Sequence, residues 1–255
     1  ASAALLAVFS MSYLTFRQTG IWKSGLALWN YVIHKEPYAS AVVYNNRGDI
    51  LAKEGLVNKA LSDFKTTIYL NPSSFNGHYN LGKIFMRIGR PDLAIGEYDK
   101  AIALKPLDVR AYNNRGIALA NTGRTGSAIA DFQKSIALNP SYFRAYCNLG
   151  EIFMKIGRLG LAITDFEKAV ALNPDYAKGF NYLGIAFAMK RRLAMALGCF
   201  NKAIALNGDE PELYINRGDV YFATGRRGLA AADFHKACNM GDKGGCLALR
   251  QMGLN

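Results

Sequence analysis

Apolar positions along this chain recur with a period of 34 residues, and inside each period they fall at helical spacing. Residues 143–176, FRAYCNLGEIFMKIGRLGLAITDFEKAVALNPDY, show the pattern most clearly. They predict two amphipathic helices, joined at Gly157-Arg158 and closed by Asn173-Pro174. Six such repeats follow one another, at 41–74, 75–108, 109–142, 143–176, 177–210 and 211–244. One helical pair cannot bury its apolar face alone, so the pattern predicts a stack in which neighbours cover one another.

Three positions hold in every repeat. Position 8 is glycine (Gly48, Gly82, Gly116, Gly150, Gly184, Gly218) and position 20 is alanine (Ala60, Ala94, Ala128, Ala162, Ala196, Ala230). Position 24 is aromatic: Phe64, Tyr98, Phe132, Phe166, Phe200 and Phe234. Glycine costs a helix about 1 kcal/mol relative to alanine, so its recurrence predicts a close helix approach, with bulky side chains at 4, 11 and 24 filling the space beside it. Pro72, Pro106, Pro140 and Pro174 end the second helix of the first four repeats. Gly208 and Asp242 stand there in the last two, which predicts looser turns. His78 occupies position 4 of the second repeat. Arg47, Arg115 and Arg217 at position 7 accompany Asp63, Asp131 and Asp233 at position 23, a spacing that suits an ion pair within the repeat.

Both ends depart from the period. Trp22–Lys35 carries an apolar stripe through Trp22, Leu26, Trp29 and Ile33, followed by Pro37. Aligned with later repeats, Trp29 falls on Phe64 and Pro37 on Pro72, so residues 1–40 read as an imperfect repeat. Ala1–Phe16 is uncharged and mostly apolar. It is shorter than the roughly 20 residues a bilayer crossing needs, and no charged segment precedes it as in a signal peptide. It fits either the end of a transmembrane helix or the first helix of the imperfect repeat. Residues 245–255 read as a cap, within a short helix over Asp242–Leu254 that carries Leu247, Leu249 and Met252.

Charge adds one constraint. Lys and Arg number 31 against 19 Asp and Glu, a formal net charge of +12, which favours anionic partners. Little suggests chemistry. Cys238 and Cys246 flank the turn 241–245 and fit either a disulfide, implying an oxidising compartment, or two small buried apolar residues. Cys147 and Cys199 lie in different repeats, and His34, His78 and His235 are far apart. The sequence has no zinc-type Cys/His spacing, phosphate loop, dinucleotide fingerprint, HExxH or GxSxG. Neither a metal nor a cofactor is expected, and the segment is not read as an enzyme.

Over about 204 of the 255 residues the repeats closely resemble the tetratricopeptide repeat. The resemblance implies an all-α, right-handed superhelix (an α-solenoid) of six full repeats, with an N-terminal partial repeat and a C-terminal capping helix. It also implies that the first helices line a concave groove, with positions 2, 5, 6, 9, 12 and 13 facing it. Position 6 is Asn46, Asn80, Asn114, Asn148 and Asn216, with Tyr182 in the fifth repeat. An asparagine offers donor and acceptor to an extended peptide backbone. Arg110, Arg144 and Lys178 stand at position 2, and Lys83, Arg87 and Lys155 at 9 or 13. The middle of the groove is therefore expected to be positive and to hold an acidic or carboxylate-terminated peptide. The Lys and Asn at positions 5 and 9 that mark chaperone-binding members are missing. Nucleic acid is not expected, because the aromatic residues fall on core positions. A second basic feature, Arg90, Arg124, Arg158, Arg191, Arg192, Arg226 and Arg227 at the turn inside the pair in repeats two to six, fits a solvated edge or one beside anionic headgroups.

The order of features over the first 37 residues (apolar stretch, Thr15–Trp22, Leu28-Trp29, Glu36-Pro37, then repeats) resembles the junction in bacterial polytopic membrane proteins related to GT-C glycosyltransferases. That resemblance implies a membrane anchor with the repeats in the periplasm or lumen; a cytoplasmic placement is the alternative. Three functions follow: a scaffold binding an extended peptide, the acceptor-presenting domain of a membrane glycosyltransferase-like protein, or an assembly module that self-associates through its apolar N-terminal helix.

Overall fold

A computed structural model describes residues 24–36 and 40–253. The apolar stretch Ala1–Phe16, Trp22 and Pro37 lie outside the described residues. Among the described residues the regular elements are α-helices, and no helix is long and apolar enough to cross a membrane. The chain divides into two blocks, residues 1–124 and 125–255. The first holds α1 (Gly25–Lys35), α2 (Ala41–Lys53), α3 (Val57–Leu70), α4 (Phe75–Arg87), α5 (Pro91–Leu104) and α6 (Val109–Asn121). The second holds α7 (Thr125–Leu138), α8 (Phe143–Lys155), α9 (Leu159–Leu172), α10 (Ala177–Met189), α11 (Leu193–Leu206), α12 (Pro211–Ala223), α13 (Arg227–Asn239) and α14 (Lys243–Gln251).

Within each block every helix packs on its neighbours in sequence, as an α-solenoid requires. First helices also touch one another, α2 to α4 to α6 in one block and α8 to α10 to α12 in the other, making one continuous helical face in each. The position-8 glycines are among the tightest points. A Cβ built on Gly48 would stand 2.8 Å from Phe64, on Gly82 2.6 Å from Tyr98, and on Gly150 2.8 Å from Phe166. The same holds for Gly184 against Phe200 at 2.6 Å and Gly218 against Phe234 at 2.7 Å. These rings are at most 2% exposed, so they have no room to yield.

Local capping sets helix ends. The Ser24 hydroxyl accepts from the Ala27 N–H at 3.1 Å and caps α1 at Gly25. Asp242 likewise caps α14, accepting from the Gly244 and Gly245 N–H groups, so that helix begins at Lys243 and ends at Gln251 rather than spanning Asp242–Leu254. The turn carrying Gly208 has the same length as the one carrying Pro174, four residues each at 207–210 and 173–176. Tyr214 Oη donates to the Gly208 carbonyl at 3.2 Å and steadies it.

Arginine at position 7 does two jobs. Arg47 grips both oxygens of Asp63 at 2.7 Å and also donates to Asn30 at 3.0 Å. Arg217 grips Asp233 at 2.7–2.8 Å and donates to Asn201 at 2.7 Å. Arg115 reaches Asp99 at 2.6 Å. Each arginine thus binds a residue of the preceding helix, and Asn30 fills on α1 the place that Asp99 and Asn201 fill on α5 and α11. Where position 7 is leucine, the acid at position 23 needs another partner. Beside Leu81, Glu97 accepts from the buried His78 at 2.6 Å and from Lys100 at 2.8 Å. Beside Leu149, Asp165 has no such replacement: its Oδ2 is buried without a hydrogen bond, and burial pushes the carboxyl up to about 6.

Two outcomes are expected in denaturant titrations. Gly184→Ala should destabilise the chain, the contact with Phe200 outweighing the roughly 1 kcal/mol of helix propensity gained. Gly198→Ala, in the middle of α11 with open space around it, should stabilise by about 0.5–1 kcal/mol. Equal signs for the two would refute the packing account. Asp165 is raised in the folded state, so its penalty is full above about pH 6 and absent below the ordinary carboxylate range. Asp165→Asn should therefore gain about 1 kcal/mol at pH 7.5, discounted for partial exposure, and nothing near pH 3.5. A gain that does not change with pH would remove the orphan carboxylate as its cause.

Candidate functional site

In the first block the helical face is hollowed twice. One hollow, of about 490 Å³, is lined by Asn45, Asn46 and Asp49 from α2, by Asn76, Tyr79, Asn80 and Lys83 from α4, by Arg110 from α6 and by Trp29 from α1. Beside it lies a second of about 390 Å³ with an apolar floor of Met86, Tyr98 and Ile117 and a polar rim of Lys83, Arg87 and Asn114. Lys83 borders both. The structure thus gathers Asn46, Asn80, Arg110 and Asn114, which were singled out in the sequence, on one continuous surface.

The asparagines do not simply wait for a ligand. Asn80 Nδ2 donates to Asn45 Oδ1 at 3.1 Å, Asn114 Nδ2 to Tyr79 Oη at 2.9 Å, and Asn216 Nδ2 to Asn181 Oδ1 at 2.9 Å. In each pair position 6 of one repeat bonds to position 5 of the repeat before. Asn80 Oδ1 also accepts from Lys83 at 3.4 Å. Part of the predicted peptide-binding capacity is spent on joining repeats, and only the remaining donors and acceptors face the groove.

The positive charge is also partly satisfied internally. Arg110 donates to Asp108 Oδ2 at 2.7 Å and lies 5.4 Å from the Tyr79 ring centre. Burial raises the Asp108 carboxyl, but the bonds from Arg110 and from the α6 N-terminus outweigh it and leave its pKa below the ordinary value. Tyr79 is the hub here, stacked on Phe75 at 5.6 Å and flanked by Lys83 and Arg110. Lys83 and Arg87 have no carboxylate partner among the described residues; Arg87 reaches only the Ala52 carbonyl.

The second block carries Arg144, Asn148 and Lys155 on α8, Lys178 on α10 and Asn216 on α12. Lys155 is bonded to Glu151 at 2.8 Å. Burial pushes the Glu151 carboxyl up, yet Lys155, Tyr182 and the charge of Lys178 together hold it below its ordinary value. Lys178 lies 5.2 Å from the centre of the Tyr182 ring, which stacks on Phe166 at 5.6 Å. Arg144 lies over Phe143 and has no carboxylate partner among the described residues. Position 5, expected only to face the groove, supplies Asn45, Tyr79 and Asn181 as partners between repeats, a bonding role that emerges only when neighbouring repeats are set side by side.

Cys238 and Cys246 are joined in a disulfide that ties α14 to α13, with Cα atoms 4.7 Å apart. Cys147 is buried and Cys199 half-buried, and burial pushes both thiols up to about 11, away from nucleophilic use.

Tetratricopeptide repeat profiles match residues 45–108, 79–143 and 143–176, together about half of the chain. This chain belongs to the tetratricopeptide repeat family. As a repeat protein of this kind it is a protein-interaction scaffold, a fold that typically carries no catalysis of its own. No curated protein matches its sequence. Among solved structures it is similar to a chain of the APC/C hetero-tetramer Cut9–Hcn1, with a TM-score of 0.76 and 20% identity over 87% of this chain. The chain spans only 45% of that one. MamA from Desulfovibrio magneticus RS-1, solved from its residue 41 to the end, aligns with a TM-score of 0.58 and 26% identity, over 65% of this chain and 94% of that fragment. YrrB, described as a TPR protein with an unusual peptide-binding site, aligns with a TM-score of 0.54 and 21% identity, over 71% of this chain and 93% of YrrB.

Proposed function

We propose that this tetratricopeptide repeat scaffold binds an extended acidic peptide along its first helices. The observation that carries this reading is the position of Lys83 and Arg87. Both stand without carboxylate partners, Lys83 bordering the polar and the apolar hollow and Arg87 the apolar one, so a peptide carboxylate and an adjoining apolar side chain fit side by side. Arg144 and Lys178 offer a comparable cationic surface in the second block. A charge-assisted bond contributes about 1.5–3 kcal/mol, so each unpaired cation is worth roughly tenfold or more in affinity. The disulfide between Cys238 and Cys246 supports a second element of the reading, that the repeats stand in an oxidising compartment such as the periplasm or lumen. A membrane-linked, acceptor-presenting role is compatible with that placement.

Two measurements test these readings. In an acidic peptide library screened by fluorescence anisotropy, Lys83→Glu should weaken the best binders about tenfold or more. Arg110→Gln should weaken them less, because Arg110 already serves Asp108. Indifference to Lys83→Glu would sink the groove model. For the compartment, alkylation of chain prepared without reductant should leave Cys238 and Cys246 unmodified when the protein is isolated from its native location; alkylation of both would argue for a reducing one.

A further inference from the structure

The turns inside the last three helical pairs form a surface that the peptide groove does not use. In the second block α8 passes to α9, α10 to α11 and α12 to α13 at the same end of three stacked hairpins. The residues there are IGRLGL (156–161), MKRRLAM (189–195) and FATGRRGL (222–229). They supply six cations, Arg158, Lys190, Arg191, Arg192, Arg226 and Arg227, and not one carboxylate. All six are exposed, and none is in an ion pair among the described residues. The opposite end of the same hairpins carries Asp175, Asp209, Glu210 and Asp242. That end also carries Arg144, Lys178 and Lys243, so in block two only the hairpin-turn end is of a single sign.

The cations do not stand alone. Ile156, Leu161, Met189, Met195, Phe222 and Leu229 lie among them and are each 45–54% exposed. Leu161, Met195 and Leu229 occupy the same position, 19, in three successive repeats. A solvated edge needs no such residues, and a nucleic acid would need stacking rings or base-reading side chains. The single aromatic, Phe222, is covered by Arg227 at 5.8 Å. Aliphatic side chains between guanidinium groups match an anionic bilayer surface, which takes cations at its headgroups and apolar side chains just beneath them.

An independent sign comes from the backbone. The residue that reverses the chain at this turn is glycine at 157 and 225, with φ of 77° and 76°. At the equivalent place in the middle turn stands Arg191, with φ of 58°, a left-handed conformation that glycine adopts without strain and arginine does not. Folding alone favours glycine there; the arginine adds a cation at the centre of the edge.

We propose that this edge of the second block docks on an anionic lipid surface. The test is sedimentation of the full chain with phosphatidylcholine vesicles, with and without about a third phosphatidylglycerol. Binding should need the anionic lipid and weaken with salt. Arg191→Gly should reduce it about fivefold, the contribution of one cation near a charged surface, while the thermal midpoint stays level or rises. Arg158→Gln, Arg192→Gln and Arg226→Gln combined should reduce it roughly a hundredfold. Leu161→Ser, Met195→Ser and Leu229→Ser combined should reduce the binding that persists at high salt. Equal binding to neutral vesicles, no binding to either kind, or binding that survives all these variants overturns the proposal, the last by assigning it to the apolar N-terminal stretch. It is also overturned if single-stranded RNA or polyglutamate displaces the vesicles and its own binding ignores the serine substitutions, since the edge would then be a general polyanion site.

Discussion

Everything else in these hairpins depends on the contact between the glycine at position 8 and the aromatic ring at position 24. With ring carbons 2.6–2.8 Å from where a Cβ would stand, glycine is required by its neighbour and not by the helix that contains it. The ring in turn is sealed by an alanine at position 20 with no exposed surface. The three residues set how closely two helices lie, and that distance sets where the next pair can dock. Because the contact is local to one hairpin, it can be repeated along the chain without a central core.

Polar bonds carry the arrangement from one repeat to the next. Arg47 and Arg217 each hold their own hairpin through an aspartate and the preceding helix through an asparagine. Asn80, Asn114 and Asn216 reach back to position 5 of the previous repeat. Apolar stacking between hairpins tolerates small rotations, whereas these bonds have narrow geometry and fix the angle. The surface offered to a peptide is therefore shaped by residues that also belong to the scaffold. Groove asparagines have two tasks, and a substitution there changes both shape and ligand contact.

Helix ends, hairpins and close packing were legible because each rests on spacing within 34 residues: Gly150 with Phe166, Asn173 with Pro174, Arg47 with Asp63. The site was less legible because its contacts run over 35 residues, between repeats, and charge alone does not reveal partnership. Arg110 and Lys155 count as groove cations in the sequence, yet Asp108 and Glu151 neutralise them in place. Lys83 and Arg87 look no different along the chain, yet no carboxylate among the described residues neutralises them. The helix start at Lys243 shifted for a similar reason, since Asp242 acts as a cap and an apolar stripe does not register a cap.

Two residues of the second block are worse for folding than their equivalents elsewhere, and they separate two kinds of departure. Asp165 carries the position-23 acid where position 7 is Leu149 and not arginine, and nothing around it uses the buried oxygen. It is an isolated departure that belongs to no wider surface pattern. Arg191 differs because its strain coincides with a regularity. It adds to a row of unpaired cations, between exposed aliphatic side chains that recur at one position, on the end of the block where carboxylates are absent. A local rule broken in isolation assigns no role, whereas a rule broken in line with a surface pattern points to a task for that surface.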